Sequence, residues 1–118
     1  MNNGYIIAWL DDLQMSAHLA KTSTTHSYEL QFCDKISQIS HISNPAAMII
    51  DLNSTSEDDL KQIIASQENH NITLMGYCRE LNGPLFNYFK TMGCAMVFKR
   101  YELMKNLGSI LNKIFNVH

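Results

Sequence analysis

Four near-continuous apolar runs and one alternating run punctuate the chain, and between them apolar residues recur at helical spacing. Residues 5–10, 46–50 and 72–75 have the pattern of central parallel strands covered on both faces, and a fourth apolar run, residues 95–98, lies near the C-terminus. Residues 27–32 (Ser27-Tyr28-Glu29-Leu30-Gln31-Phe32) alternate polar with apolar, which suits an edge strand with one face in water. The intervening segments predict five helices. The last has the clearest stripe, made by Leu103, Leu107, Ile110, Leu111, Ile114 and Phe115. Gly83-Pro84 opens the fourth helix, Leu85, Phe86, Phe89 and Met92 supply its apolar face, and Gly93 closes it. Ser54-Thr55-Ser56-Glu57 has the form of a capping box before a third helix whose Leu60, Ile63 and Ile64 point inward. Two weaker helical patterns lie near 13–24 and 34–42.

Strand and helix in alternation predict an α/β fold with a mostly parallel sheet. Right-handed crossovers and a polar second strand at the edge then favour the order 2-1-3-4-5, a three-layer flavodoxin-like arrangement. Residues 1–118 read as one domain, with no internal repeat and no linker to a second unit.

Composition narrows the function. The short run at 5–10 is preceded by no positive charge and followed at once by Asp11 and Asp12, so it fits neither a signal peptide nor a membrane span, and a cytoplasmic protein is expected. Cys33, Cys78 and Cys94 form no CxxC pair, which argues for reduced thiols. The histidines show no HExxH spacing and no serine sits in a GxSxG elbow, so the common hydrolase signatures are absent and no enzyme activity is expected. Charge is uneven: residues 1–78 hold nine acids and three bases, whereas residues 79–118 hold two acids and six bases. Nothing in the chain forms a nucleic-acid reading motif.

In a doubly wound sheet, ligands bind outside the carboxyl ends of the strands where strand order reverses. There the sequence places Asp11 and Asp12, after the first strand, and Asp51, after the third. Clustered carboxylates invite a hard cation such as Mg2+. The segments Ile6-Ile7-Ala8-Trp9-Leu10-Asp11-Asp12, Met48-Ile49-Ile50-Asp51-Leu52 and Met92-Gly93-Cys94-Ala95-Met96-Val97-Phe98-Lys99-Arg100 together resemble the response-regulator receiver (CheY-like) family over nearly the whole chain. That resemblance implies Asp51 as phosphoacceptor, Asp11, Asp12 and Asp51 as Mg2+ ligands, and a lysine position occupied by Lys99 or Arg100.

The chain also departs from that pattern. Leu74-Met75-Gly76-Tyr77-Cys78 lacks the Thr or Ser expected at the end of the fourth strand. Tyr101 replaces the proline after the lysine position, and the aromatic switch position falls on Met96 or Val97. A phosphoryl-aspartate needs preorganised donors, so these losses reduce what phosphorylation can stabilise. The reading is a divergent or pseudo-receiver: a stand-alone signalling module that binds another protein, such as a signalling protein or a histidine kinase. Its contact face would be the fourth helix, fifth strand and fifth helix, marked by Lys90, Lys105 and Lys113. A homodimer through that face stays open, as does a Mg2+-dependent phosphoacceptor in a phosphorelay. A flavodoxin-like small-ligand binder is the more distant alternative, since no Gly-rich phosphate loop follows the first strand. Trp9 and Tyr77 read as core or rim residues, and Cys78 as an unreactive thiol.

Overall fold

The computed structural model describes residues 5–39, 47–67 and 72–115. Its elements run β1 (Tyr5–Trp9), α1 (Leu13–Thr25), β2 (Glu29–Phe32), α2 (Ile36–Ile39), β3 (Ala47–Asp51), α3 (Glu57–Ser66), β4 (Thr73–Cys78), α4 (Gly83–Met92), β5 (Met96–Lys99) and α5 (Arg100–Phe115). The five strands pair in parallel in the order β2-β1-β3-β4-β5, as the alternation of apolar runs and helices predicts.

Strand alternation divides the core in two. Ile6, Ala8, Ala47, Ile49, Met75 and Tyr77 face Met15 and Leu19 of α1 and Leu103, Leu107 and Leu111 of α5. On the other side Ile7, Met48, Ile50 and Leu74 pack with Ile39, Leu60 and Ile63 of α2 and α3 and with the flank of α4. β3 is buried along its whole length, which is why its sequence carries no polar residue before Asp51.

The boundaries depart from expectation at places with local causes. β4 runs on through Gly76, Tyr77 and Cys78, all buried. Gly76 is no break: a Cβ there would stand 2.6 Å from Leu52 Cδ1, so glycine is what lets Leu52 pack on the strand. β2 starts later than expected because Ser27, at φ 61°, turns the chain first. β3 is shifted one residue onto Asp51 and Ala46 lies outside the described residues, as do 40–42 of the expected second helix. The third helix is capped by Ser56, whose hydroxyl accepts from Asp59 N, and not by Ser54. The Ser54 and Thr55 hydroxyls instead donate to the Asp51 carbonyl. The stripe of α5 is seated as expected, but α4 buries no residue fully: Phe89 and Met92 touch the core while Leu85 and Phe86 are exposed.

Candidate functional site: a strand-end pocket closed by arginine

β1 delivers its two aspartates to different places. Asp12 is the N-cap of α1, where an acidic side chain satisfies a free helical N–H, and its Oδ1 accepts from Met15 N at 3.1 Å. Asp11, one residue earlier, is exposed and lines a separate cleft with Trp9, Asp34, Ser54 and Asp59. Asp51 ends β3 and is 5% exposed, with Oδ1 accepting from Asn53 N at 3.0 Å. Its side chain falls on the α1/α5 side of the sheet, the side of Tyr77, because it continues the alternation of Ala47 and Ile49.

The first residue of α5 reaches across to Asp12. Arg100 Nε lies 2.8 Å from Asp12 Oδ2 and Nη2 lies 3.0 Å from Oδ1, a fork-on-carboxylate pair, and Nη2 also donates to Gln14 Oε1 at 3.0 Å. Tyr77, 1% exposed and in register with Asp51, donates its hydroxyl to Asp12 Oδ2 at 3.0 Å. Asp12 therefore accepts from Met15 N, Tyr77 Oη and twice from Arg100, which fills the roughly four lone-pair sites a carboxylate offers.

The electrostatics follow this geometry. Hydrogen bonds from Arg100 hold the Asp12 carboxyl well below the usual carboxylate range; burial opposes the shift, and Met15 N and the Tyr77 hydroxyl reinforce it. Asp12 in turn raises the Arg100 guanidinium, and Asp51 adds to the same direction. Burial, then the charges of Asp51 and Asp12, push the Tyr77 phenol far up, so it remains a hydrogen-bond donor at any ordinary pH. Burial and Asp51 also raise the Cys78 thiol, whose Sγ donates to the Glu80 carbonyl, and an inert thiol is what results.

Of the two candidates for the lysine position, Arg100 enters the pocket, whereas Lys99 ends β5 exposed. Met96 and Val97 pack into the two core layers. The expected trio of Asp11, Asp12 and Asp51 is not assembled: among the described residues no three His, Cys, Asp or Glu side chains are grouped to share a metal. A divalent cation at Asp12 would have to displace a guanidinium already bound in two places, so the residues in this arrangement do not fit a Mg2+ site. Tyr77 is the residue that sequence reasoning missed. Its place opposite the strand-end aspartate was the available signal, but it depended on knowing that β4 extends past Gly76.

Sheet order and layers define a flavodoxin-like α/β fold. Sequence comparison finds no matching family model and no matching curated protein. Structure comparison does find likeness: a response regulator from Thermotoga maritima superposes with a TM-score of 0.80 at 8% identity, covering 98% of this chain and 99% of that one. The Mn2+-bound form of response regulator Rcp1 gives 0.75 at 13% identity, over 98% of this chain and 96% of that one. A pilus assembly-related protein from Burkholderia pseudomallei gives 0.76 at 14% identity, over 95% of this chain and 89% of that one. The chain thus has the receiver fold of response regulators, a fold that also occurs in a protein described by another role. Among the described residues no helix is long and apolar enough to cross a membrane.

Proposed function

We propose that this chain is a receiver-fold signalling module that acts by binding another protein, with a pocket whose charge is balanced from within by Arg100. The observation that carries this reading is the complete occupation of Asp12 by Arg100, Tyr77 and Met15. A phosphoryl group on Asp51 would need a cation and donors to hold it. The guanidinium nearest to hand is already committed, and the end of β4 supplies no Thr or Ser. Phosphorylation then has little differential contact with which to shift a conformational equilibrium.

The face made by α4, β5 and α5 suits an acidic partner with apolar anchors. It presents Leu85 and Phe86, each about two-fifths exposed, beside Lys90, Lys99, Lys105 and Lys113. Lys90 is held in place there, its Nζ donating to the Ala95 carbonyl at 2.6 Å and lying 5.9 Å above the Phe86 ring.

The test is incubation with a small acyl phosphate and Mg2+, followed by intact-mass measurement. Little stable modification of Asp51 is expected. Near-complete, long-lived phosphorylation would overturn the reading in favour of a phosphoacceptor in a relay. In parallel, Mg2+ titration followed by Trp9 fluorescence should be flat for the native chain and saturable for Arg100→Ala, in which Asp12 is released.

A further inference from the structure

Away from the strand ends, α1 and α5 enclose a groove of about 230 Å3. Lys21, Thr22 and His26 line it from α1 and its C-cap, Lys105 and Gly108 from α5, and His18 stands at one end. The groove is cationic by construction. α1 contains no acidic residue and α5 contains only Glu102, which lines a different cleft with Phe98 and Lys113. Lys21 and Lys105 thus face one space from opposite walls, and among the described residues no carboxylate lines it. Like charges placed together without a counter-charge are relieved by an anion.

The floor is shaped as well as charged. Gly108 sits inside α5, where glycine is among the least favourable residues. Packing does not require it: a Cβ there would stand 3.5 Å from His26 Nε2 and 3.9 Å from Thr22 Cγ2, both ordinary contacts. Its backbone is not in the left-handed region either, since Gly93 is the one described glycine with positive φ. What glycine leaves is methyl-sized room between its Cα and the His26 ring edge. The neighbouring backbone is also irregular. Asn106 departs from helical geometry (φ −115°, ψ 16°), and His18 Nε2 lies 2.8 Å from the Met104 carbonyl just before it. A carbonyl only accepts, so Nε2 carries the proton there, and the bond pins the end of the groove across the two helices.

We propose that this groove is a binding site for a phosphate monoester, with Lys21 and Lys105 clamping the phosphoryl oxygens and His26 Nε2 and the Thr22 hydroxyl as additional donors. Two cationic side chains lining one groove from two helices suit a compact anion with several acceptor oxygens. Lys105 Nζ lies 6.0 Å from the centroid of the Tyr101 ring, and binding would turn it from that ring onto the anion. The site shares Lys105 with the α4-β5-α5 face but is otherwise separate from the proposed protein-binding role: Lys21 and Gly108 take no part in the pocket around Asp12, and Lys21 lies outside that face.

The test is an amide-resolved NMR titration of the full chain with inorganic phosphate and, separately, phenyl phosphate at low ionic strength. Saturable shifts at Lys21, Thr22, His26 and Gly108 are expected, with phenyl phosphate binding at least as tightly as phosphate. Lys21→Ala should weaken binding roughly tenfold, the loss of one charge-assisted hydrogen bond, while Lys61→Ala, on the exposed side of α3, leaves it unchanged. Gly108→Leu should abolish binding by filling the floor. Gly108→Ala should raise the melting temperature through helix propensity and weaken binding less, so a folding defect cannot imitate the result. Unsaturated shifts spread over all lysines, or equal losses from Lys21→Ala and Lys61→Ala, would overturn the site. Binding of inorganic phosphate without phenyl phosphate would overturn the monoester assignment.

Discussion

The helices α4 and α5 both carry an apolar stripe in sequence, yet the structure treats them differently. α5 buries Leu103, Leu107 and Leu111 to 1% exposure or less against the sheet, whereas Leu85 and Phe86 of α4 remain 38% and 39% exposed. α4 depends on its ends instead. Asn82 Oδ1 accepts from Leu85 N, Pro84 stands in the first turn, and Gly93 closes the helix at φ 129°. Side-chain contacts to neighbours add to this, with the Tyr88 hydroxyl donating to Glu57 Oε2 at 2.8 Å. A stripe at helical spacing records which face of a helix can be covered. What covers it is settled by the rest of the fold, and on α4 part of the stripe stays exposed.

That contrast can be broken most directly at Leu107. Leu107→Ala should cost about 2–5 kcal/mol of unfolding free energy in a urea titration, since the site is fully packed and leaves a cavity. Next in size, Arg100→Ala should cost about 1–3 kcal/mol by stripping a poorly solvated carboxylate of its cation. This loss should also change the pH profile. The folded Asp12 carboxyl is held below its unfolded value, so its contribution to stability is complete above about pH 4 and is lost as pH falls towards the folded value. The native chain should therefore show an acid-dependent loss of stability below about pH 4 that is reduced in Arg100→Ala. Asn82→Ala should cost about 1 kcal/mol, the usual weight of an N-cap, and should melt α4 before the rest of the sheet in hydrogen exchange. Smallest of all, Phe86→Ala should stay within about 0.5 kcal/mol. If it costs as much as Leu107→Ala, α4 is packed like α5 and its exposed face is not free for a partner.

The sheet was legible because its central strands must be apolar on both faces, and β1 and β3 follow that rule closely. The apolar run 72–75 stops short of the end of β4 at Gly76, whose missing side chain is the gap into which Leu52 fits. The strand-end aspartates were legible for the same topological reason, but their environments were not. Asp11 and Asp12 look equivalent as a pair, and only the start of α1 makes one a cap and leaves the other in solvent. Lys99 and Arg100 are adjacent cations that spacing alone does not separate. One ends the strand facing out, and the other opens α5 turned towards Asp12. Nor did Ser54 and Ser56 differ in pattern; the choice between them came from Ser54 and Thr55 turning back to the Asp51 carbonyl.

The three cysteines are distributed with the same asymmetry as the two helices. Cys33, Cys78 and Cys94 are all buried in the layer under α2, α3 and α4, and none of the three lies in the α1/α5 layer. Burial raises each thiol, Cys94 to about 11, so a reagent that attacks thiolates meets almost none in the closed protein. Their alkylation rate is therefore a stopwatch for transient opening of one half of the molecule, running silently beside a second half that carries no such reporter. A partner seated on α4 would slow that stopwatch without touching any sulfur.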